Sequence, residues 1–290
     1  MKRTFASLLA TSLFCALSMT AQAGSDAIRL EYGELPLGAF SHSKWVNIND
    51  MATGKANVPM IRKGDTFNLY HFNGKIGTGT ITSVEKDAND SILYTVKSSN
   101  SEYKNTPLLA VDKSYNVIPR PIEKLPTNNA VYLDVVKKIL VSKGLTKAKP
   151  HIVQLFRGDI NNNGQNEIVI VATNITDEDS AWDLSKAFSE YGVLPGAPAQ
   201  SYSMVIIRQI EGGVRNRIID EYITMKHTGP DVADWKPPYL HRVEAFADLN
   251  GDGHMEIILC QKMYEGLEYD VYQQQRNSNW KPVLSNAFGA

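Results

Sequence analysis

Two nine-residue segments of the chain share one pattern of oxygen-bearing side chains. The first covers residues 159–167 and the second covers residues 248–256, and both carry Asp or Asn at positions one, three and five and Glu at position nine. Because this alternation in a tight loop turns several oxygens toward one point, it suits a hard cation such as Ca²⁺. Gly164 and Gly253 stand at position six, where a side chain would resist the sharp turn. The pattern predicts a calcium-binding scaffold.

The two loops differ in their number of carboxylates. The first offers Asp159 and Glu167, whereas the second offers Asp248, Asp252 and Glu256. Affinity for calcium rises with ligand charge, so we expect the second loop to bind more tightly. The alternative is that asparagine-rich loops form Asx turns without a metal. We expect one or two ions with a structural role, since carboxylates that repel one another become cross-links between strands when an ion arrives.

Few other residues have a spacing that indicates catalysis. The sequence contains no His-Glu-x-x-His, Gly-x-Ser-x-Gly or Walker motif, and its six histidines are scattered. Glu265, Glu268 and Asp270 form an acidic cluster that could serve glycoside hydrolysis, although a solvated acidic turn is commoner. A secreted hydrolase that uses acidic residues near the calcium loops is therefore the alternative function. Cys260 lies in an apolar run, which predicts a buried small hydrophobe.

The segment from His227 to Tyr239 is the best candidate for recognition of a partner. Three prolines stiffen it, and it presents two aromatic residues, Trp235 and Tyr239. Aromatic side chains on an ordered loop are typical contact anchors. The alternative is that Trp235 and Tyr239 pack the loop onto the core.

The first residues have the features of a secretory signal. Lys2 and Arg3 precede an apolar stretch, and small residues at 21–23 predict cleavage after Ala23. Removal of residues 1–23 takes away two of the 30 basic residues and none of the 31 acidic ones, which leaves a net charge of −3. That charge argues against general nucleic-acid binding. Since no second long apolar segment follows, we expect a mature chain without a transmembrane segment, in the periplasm or outside the cell.

The region before the loops divides into two parts. Residues 24–120 contain short alternating strands and a tight turn at Asn73-Gly74, which predict a small N-terminal β-barrel-like domain. Residues 121–149 form a linker with one helix. The helix is predicted to begin after a cap at Thr127 or Asn128 and to end at about Lys143.

Residues 150–290 contain two similar units whose loops begin 89 positions apart. Each unit has a strand, one nine-residue loop, an unbroken apolar strand and two further strands. Such apolar runs indicate strands that are covered on both faces. The first unit also holds a predicted helix at about Asp179 to Tyr191, with a capping pattern that starts at Thr176 and a stop at Gly192.

The order of strand, Asp-x-Asn-x-Asn/Asp-Gly-x-x-Glu loop and apolar strand resembles the calcium-loop repeats of the FG-GAP and VCBS class, which form β-propeller blades. The resemblance covers about residues 150–290. A propeller needs at least four blades to close, so two units imply two blade-like sheets packed together. Ile170 and Leu259 stand where an EF-hand has its last glutamate, so the loops are not EF-hands. The resemblance implies one ligand set of Asp159, Asn161, Asn163, Glu167 and the carbonyl of Gln165, and a second of Asp248, Asn250, Asp252, Glu256 and the carbonyl of His254.

Together these features predict a fold and a function. The expected fold is mainly β (α+β), with a small N-terminal β-barrel-like domain, a linker helix, and a C-terminal domain of two blade-like antiparallel sheets with one inserted helix. The expected function is that of a secreted, calcium-stabilised, non-enzymatic binding or scaffold protein that recognises a protein or glycan. A narrower version is a periplasmic inhibitor or immunity protein. The sequence leaves the partner and the oligomeric state open.

Overall fold

The structure, a computed structural model, describes residues 28–32, 35–72, 74–86, 92–99, 109–112, 115–175, 196–210, 212–233, 236–263 and 266–289. The predicted signal peptide, the predicted helix at 179–191 and Trp235 lie outside these residues. Within them the chain has two helices and strands that pair antiparallel in three sheets. The expectation of a mainly β protein is confirmed.

The N-terminal elements are β1 (Ile28–Tyr32), β2 (Leu35–Ser41), β3 (Lys44–Asn47), α1 (Ile48–Ala52), β4 (Thr66–His71), β5 (Gly74–Lys86), β6 (Ile92–Ser98) and β7 (Leu109–Val111). Their strands form a seven-stranded sheet in the order β3-β2-β1-β7-β4-β5-β6. The sheet is curled, because β2 and β6 approach each other. Among the described strands, however, β3 and β6 each have one hydrogen-bonded neighbour, so the expected barrel-like domain is corrected to an open sheet. The physical reason is that β2 and β3 pack against the last described strand, β16 (Trp280–Gly289), instead of completing a barrel.

The C-terminal elements are β8 (Glu123–Lys124), α2 (Ala130–Ser142), β9 (Ile152–Gly158), β10 (Glu167–Thr173), β11 (Ser201–Ile210), β12 (Val214–Thr224), β13 (Leu240–Ala247), β14 (Glu256–Lys262), β15 (Gly266–Gln274) and β16 (Trp280–Gly289). Their strands form two further sheets. A five-stranded sheet has the order β12-β11-β10-β9-β8, and a four-stranded sheet has the order β13-β14-β15-β16. Each unit is therefore a meander of four strands, and one of the two loops joins its first two strands.

The sheets stack in layers, and three apolar clusters fill the spaces between them. One cluster joins α2 to the five-stranded sheet, the second joins the five-stranded to the four-stranded sheet, and the third joins the four-stranded to the seven-stranded sheet. On β14, Ile257 faces the second cluster and Ile258 faces the third. All residues of β10 and β14 are buried, which confirms the prediction that the apolar runs are covered on both faces.

Helix α2 begins later than predicted. Asn129, and neither Thr127 nor Asn128, caps the helix, because its side chain accepts the backbone N–H of Val131 at 3.0 Å. Gly144 follows the last turn with a φ of +82°, a value that favours glycine after a helix. In the part of the chain that the structure describes, no helix is long and apolar enough to cross a membrane.

Candidate metal centre

The loop between β13 and β14 is folded around the carboxylate of Asp248. Gly251 and Gly253 donate their backbone N–H groups to its two oxygens at 2.8 and 3.0 Å. Asp252 donates its own N–H to Asn250 Oδ1 at 2.8 Å. Both glycines have positive φ values, +76° and +88°, which a residue with a side chain adopts only at a cost. The spacing of side chains and glycines therefore fixes the shape of this loop.

Three side chains of this loop meet at one point. Asn250 Nδ2 donates to Asp252 Oδ2 at 3.1 Å and to Glu256 Oε1 at 3.0 Å. The other oxygen of Glu256 accepts the backbone N–H of Leu249 at 2.8 Å. Asp248 and Glu256 are buried, whereas Asp252 is exposed. An amide donor thus lies between two carboxylates, where a cation would find oxygen ligands. The side chain of His254 is exposed at the loop surface.

The loop between β9 and β10 repeats part of this arrangement. Asn163 and Gly164 donate their backbone N–H groups to the two oxygens of Asp159, both at 3.1 Å. Glu167 accepts the N–H of Ile160 at 2.8 Å, the contact that its counterpart makes in the second loop. Asn161 Oδ1 accepts the N–H of Asn163 at 3.2 Å, and Gln165 is exposed. The two loops therefore share a pattern of hydrogen bonds from backbone N–H groups to carboxylates, and the second loop has more contacts between side chains.

Burial raises the pKa of the carboxyl groups that face inward. It raises the pKa of Glu256 well above its usual value, the N–H of Leu249 opposes that shift, and the nearby Asp252 and Asp248 add to it. Burial also raises the pKa values of Asp248 and Glu167, against hydrogen bonds from backbone N–H groups. Carboxylates that are desolvated beside like charges gain the most from a bound cation.

Arg120, which belongs to no motif, links the two loops. Its Nε donates to the carbonyl of Asp159 at 2.6 Å, and its Nη2 donates to the carbonyls of Ile160 at 3.2 Å and Gly253 at 2.7 Å. The N–H of Met255 also donates to the carbonyl of Ile160 at 2.8 Å. The loops therefore lie side by side. Because the two loops are far apart in sequence, the sequence did not predict this contact. The only signal at residue 120 was a single arginine between two prolines.

The segment before β8 also connects the N-terminal sheet to the second loop. Tyr70 on β4 donates its hydroxyl to the carbonyl of Tyr115 at 3.1 Å, and Tyr115 donates its hydroxyl to the carbonyl of Leu249 at 3.0 Å. Asp248 donates its backbone N–H to the carbonyl of Val117 at 2.7 Å. Burial, and then the nearby carboxylate of Asp248, raise the pKa of Tyr115. The loop is thus held from the N-terminal side as well.

No family model, curated protein or solved structure matches the chain. Within the described ranges, no group of three or more His, Cys, Asp or Glu side chains forms a metal-binding arrangement. A metal in either loop would therefore need asparagine and carbonyl oxygens in addition to the carboxylates. The resemblance to the FG-GAP and VCBS repeats stays a prediction that depends on the two loops.

Tyr239, one of the two predicted contact anchors, packs onto the five-stranded sheet. Its hydroxyl donates to the carbonyl of Glu221 at 3.2 Å, and its ring lies edge-on to Tyr222 and His241 with centroids 5.1 and 5.2 Å away. Burial raises the pKa of Tyr239 to about 12. At the other end of the segment, Thr228 forms a backbone bridge with Ala197. Both ends of the segment are therefore fixed to the core.

Ser203, His241 and Asp220 meet in the interior, although no sequence motif joins them. Ser203 Oγ lies 2.9 Å from His241 Nδ1, and His241 Nε2 lies 3.7 Å from Asp220 Oδ2. Serine, histidine and aspartate in this order are typical of a hydrolase triad. Here Ser203 and His241 are both 0% exposed, and Ser203 Oγ also accepts the backbone N–H of His241 at 3.0 Å. Because a substrate cannot reach the hydroxyl, we interpret the three residues as a structural polar contact.

The acidic cluster on β15 is partly buried. Glu265 lies outside the described residues, and Glu268 is half-buried. Asp270 accepts from Gln261 Nε2 at 2.7 Å and from the hydroxyl of Ser285. Burial raises the pKa of Asp270 to about 6, against the hydrogen bond from Ser285. Asp270 is therefore a buried carboxyl group and not part of a solvated acidic turn.

The thiol of Cys260 is buried, and its burial raises its pKa. Thiolate is the reactive form of cysteine, so the raised pKa makes this thiol inert. The prediction that Cys260 is a small buried hydrophobe is confirmed.

Proposed function

We propose that the protein is a secreted, calcium-stabilised, non-enzymatic binding or scaffold protein that recognises a protein or glycan. The observation that carries the calcium part is the position of Asn250 Nδ2 between Asp252 and Glu256, at 3.1 and 3.0 Å. A Ca²⁺ ion at this point would take the position between the carboxylates of Asp252 and Glu256 that the amide group of Asn250 now occupies. The ion would also offset the mutual repulsion of the carboxylates. The corresponding ion in the first loop would have fewer carboxylate ligands, so we expect weaker binding there.

The hydrogen bonds of Arg120 to both loops support a structural role for the proposed ions. It binds carbonyls of both loops, so an ion that orders one loop also restrains the other. The second loop is in turn attached to β4 through Tyr70 and Tyr115. Calcium in the loops would thus stabilise the junction of all three sheets. A narrower version of the proposal remains a periplasmic inhibitor or immunity protein.

A calcium titration monitored by thermal unfolding tests the metal part. We expect calcium to raise the unfolding midpoint and chelator to lower it, because a ligand at 100 times its Kd stabilises a protein by about 2.7 kcal/mol. Asp252→Asn keeps the shape and the oxygen that accepts the N–H of His254, so it should remove most of the response without loss of fold. Asp159→Asn should have a smaller effect, and Asp134→Asn on the exposed face of α2 should have none. No response to calcium or chelator would refute the proposal.

The recognition part of the proposal places the contact on residues 227–239. The bridge between Thr228 and Ala197 and the hydrogen bond from Tyr239 to Glu221 support it, since a loop whose two ends are fixed loses less entropy on binding. The test is capture of proteins and glycans from envelope and secreted fractions, with and without calcium. Trp235→Ala should abolish retention, and Val131→Ala on exposed α2 should not. A chain that retains no partner but cleaves glycan or peptide substrates would favour the hydrolase instead.

A further inference from the structure

A cavity of about 320 Å³ lies where the three sheets meet. Its walls come from β4 and β7 of the seven-stranded sheet, from β8 and β9, from β13, and from the segment between β7 and β8. Its volume falls at the lower end of small-molecule sites, which span about 300–1,000 Å³. Such sites are often found at the junction of packed units. None of the residues that line the cavity belongs to the two loops or to the described part of residues 227–239.

One side of the cavity is aromatic and aliphatic. Phe72 and Phe156 stack with their centroids 4.9 Å apart and an angle of 16° between their rings. Phe246, which is not a lining residue, lies edge-on to both rings with centroids 5.7 and 5.4 Å away. Ile118 and Ile122 extend this surface. These side chains give the cavity an apolar side.

Another part of the lining is polar. Arg242 Nε lies 3.0 Å from Glu244 Oε1, and the side chain of Glu244 is only 2% exposed. Glu244 is the extra residue of a β-bulge, since the pairing of β13 with β14 passes from Val243 to Ala245. Bulges next to functional sites often re-aim a side chain. Gln154 fixes the same wall, because its amide binds the backbone N–H and carbonyl of Val243 at 2.7 and 3.2 Å.

The charges around the cavity favour an anion. Arg242 neutralises the buried carboxylate of Glu244. Lys124 is exposed at the edge of the cavity, and His71 is half-buried beside it. A lysine ammonium at the edge of a pocket with an apolar side attracts one negative group and orients it outward.

We propose that this cavity binds a small organic anion that combines one flat apolar ring with one carboxylate. The ring packs against Phe72, Phe156 and Ile118, and the carboxylate meets Lys124. This proposal requires neither calcium nor a macromolecular partner, so its test is carried out in chelator, and its failure would leave the proposed function untouched.

The experiment is calorimetric titration of the protein with four probes: phenylacetate, its neutral counterpart phenylacetamide, cationic phenethylamine, and glucuronate as an anion without an apolar ring. We expect phenylacetate to saturate with a Kd of about 1 mM or tighter. The amide, the amine and glucuronate should bind at least tenfold more weakly, roughly the loss of one charged contact.

Two substitutions of residues that line the cavity, with one control substitution, test whether phenylacetate binds there. Lys124→Gln should weaken phenylacetate binding about tenfold, and Ile118→Trp, which fills the space at a half-buried position, should abolish it. Lys138→Gln makes the same charge change on α2, far from the cavity, and should leave the Kd unchanged. Unfolding midpoints of all variants report whether each has folded. The proposal is overturned if no anion saturates below about 10 mM, if phenylacetamide or glucuronate binds as tightly as phenylacetate, or if a folded Ile118→Trp binds normally.

Discussion

Arg120 shows how one side chain holds two distant loops together. Its guanidinium donates to three backbone carbonyls, two in the first loop and one in the second, and its side chain is 18% exposed. Hydrogen bonds from a charged donor are worth more than neutral ones. Without Arg120 the carbonyls of Asp159 and Gly253 would lose its N–H donors, whereas the carbonyl of Ile160 would keep the N–H of Met255. The flat fork of donors is a property that lysine lacks.

Arg120→Ala should therefore lower the free energy of unfolding by about 2–4 kcal/mol, since it removes several charged hydrogen bonds at a partly buried site. Arg120→Lys should recover only part of this loss, because one ammonium cannot reach both loops in the same geometry. Urea unfolding at neutral pH measures both. The control is Arg157→Ala, which breaks an exposed ion pair with Glu123 and should cost less than about 1 kcal/mol. Equal losses in the two alanine variants would contradict the role of Arg120.

Asp270 makes the stability depend on pH. Its pKa is raised by burial to about 6 in the folded protein, above the ordinary aspartate value that holds in the unfolded chain. A group with a raised folded pKa contributes stability that is complete below the unfolded pKa, near pH 4, and that is lost as the pH rises through about 6.

The expected loss between pH 4 and pH 7.5 is about 1–3 kcal/mol from this group. Asp270→Asn keeps the acceptor for Ser285 and cannot ionise. The difference in free energy of unfolding between this variant and the wild type should therefore shift in favour of the variant as the pH rises. Urea unfolding across that range measures the difference, with Asp134→Asn as the exposed control. A difference that stays constant with pH would show that Asp270 does not titrate in this window.

At the level of the elements, the two loops offer a matched pair of glycines. Gly164 and Gly253 have φ values of +80° and +88°, so alanine at either position carries a similar backbone cost of about 1–2 kcal/mol. Their surroundings differ, because a Cβ at Gly164 would meet nothing within 4 Å, whereas one at Gly253 would lie 3.2 Å from Asn162 Nδ2 of the other loop.

Gly253→Ala should thus destabilise the protein slightly more than Gly164→Ala, by the small cost of moving the exposed Asn162 side chain by a few tenths of an ångström. The comparison is made by urea unfolding in chelator, so that the metal does not contribute. In the double variant Gly253→Ala with Asn162→Gly, the additional cost should disappear, because the obstructing side chain is gone and glycine suits the positive φ of residue 162. A larger loss for Gly164→Ala would show that the loops do not touch as described.

The strands and loops were largely predictable because their signals are local. Apolar runs bounded by turn residues indicate β10 and β14, and the spacing of Asp, Asn and Gly determines the loop shape. The order of strands in a sheet depends on contacts between distant residues, which periodicity does not encode. The position of β7 between β1 and β4 could not be predicted for this reason. The packing of β2 and β3 against β16, which leaves the N-terminal sheet open, could not be predicted either. The contacts of Arg120 and the contact of Ser203 with His241 could not be predicted for the same reason, since they join residues that are distant in sequence.

For the whole molecule, the decisive feature is the stacking of layers. The four-stranded sheet is covered on one face by the five-stranded sheet and on the other by the N-terminal sheet. The third apolar cluster brings Tyr70 and Val111 of the N-terminal sheet against Ile258 and Val271. The cavity at the junction exists only because the layers meet there, so it had no signature in the sequence.

Because of this stacking, we expect that the two C-terminal sheets do not fold without the N-terminal sheet. A fragment of residues 121–290, cut at the predicted linker, would expose the apolar face that includes Ile258, Val271 and Leu284, and it would lose Arg120 as well. We expect this fragment to aggregate or to bind a hydrophobic dye, and to lack a cooperative thermal transition. A fragment of residues 115–290 restores Arg120 and the contacts of Tyr115 but leaves the same face open, so it should recover little stability.

The full chain should unfold in one transition by both circular dichroism and tryptophan fluorescence. A monomeric 121–290 fragment that melts cooperatively near the midpoint of the full chain would show that the covering sheet is dispensable.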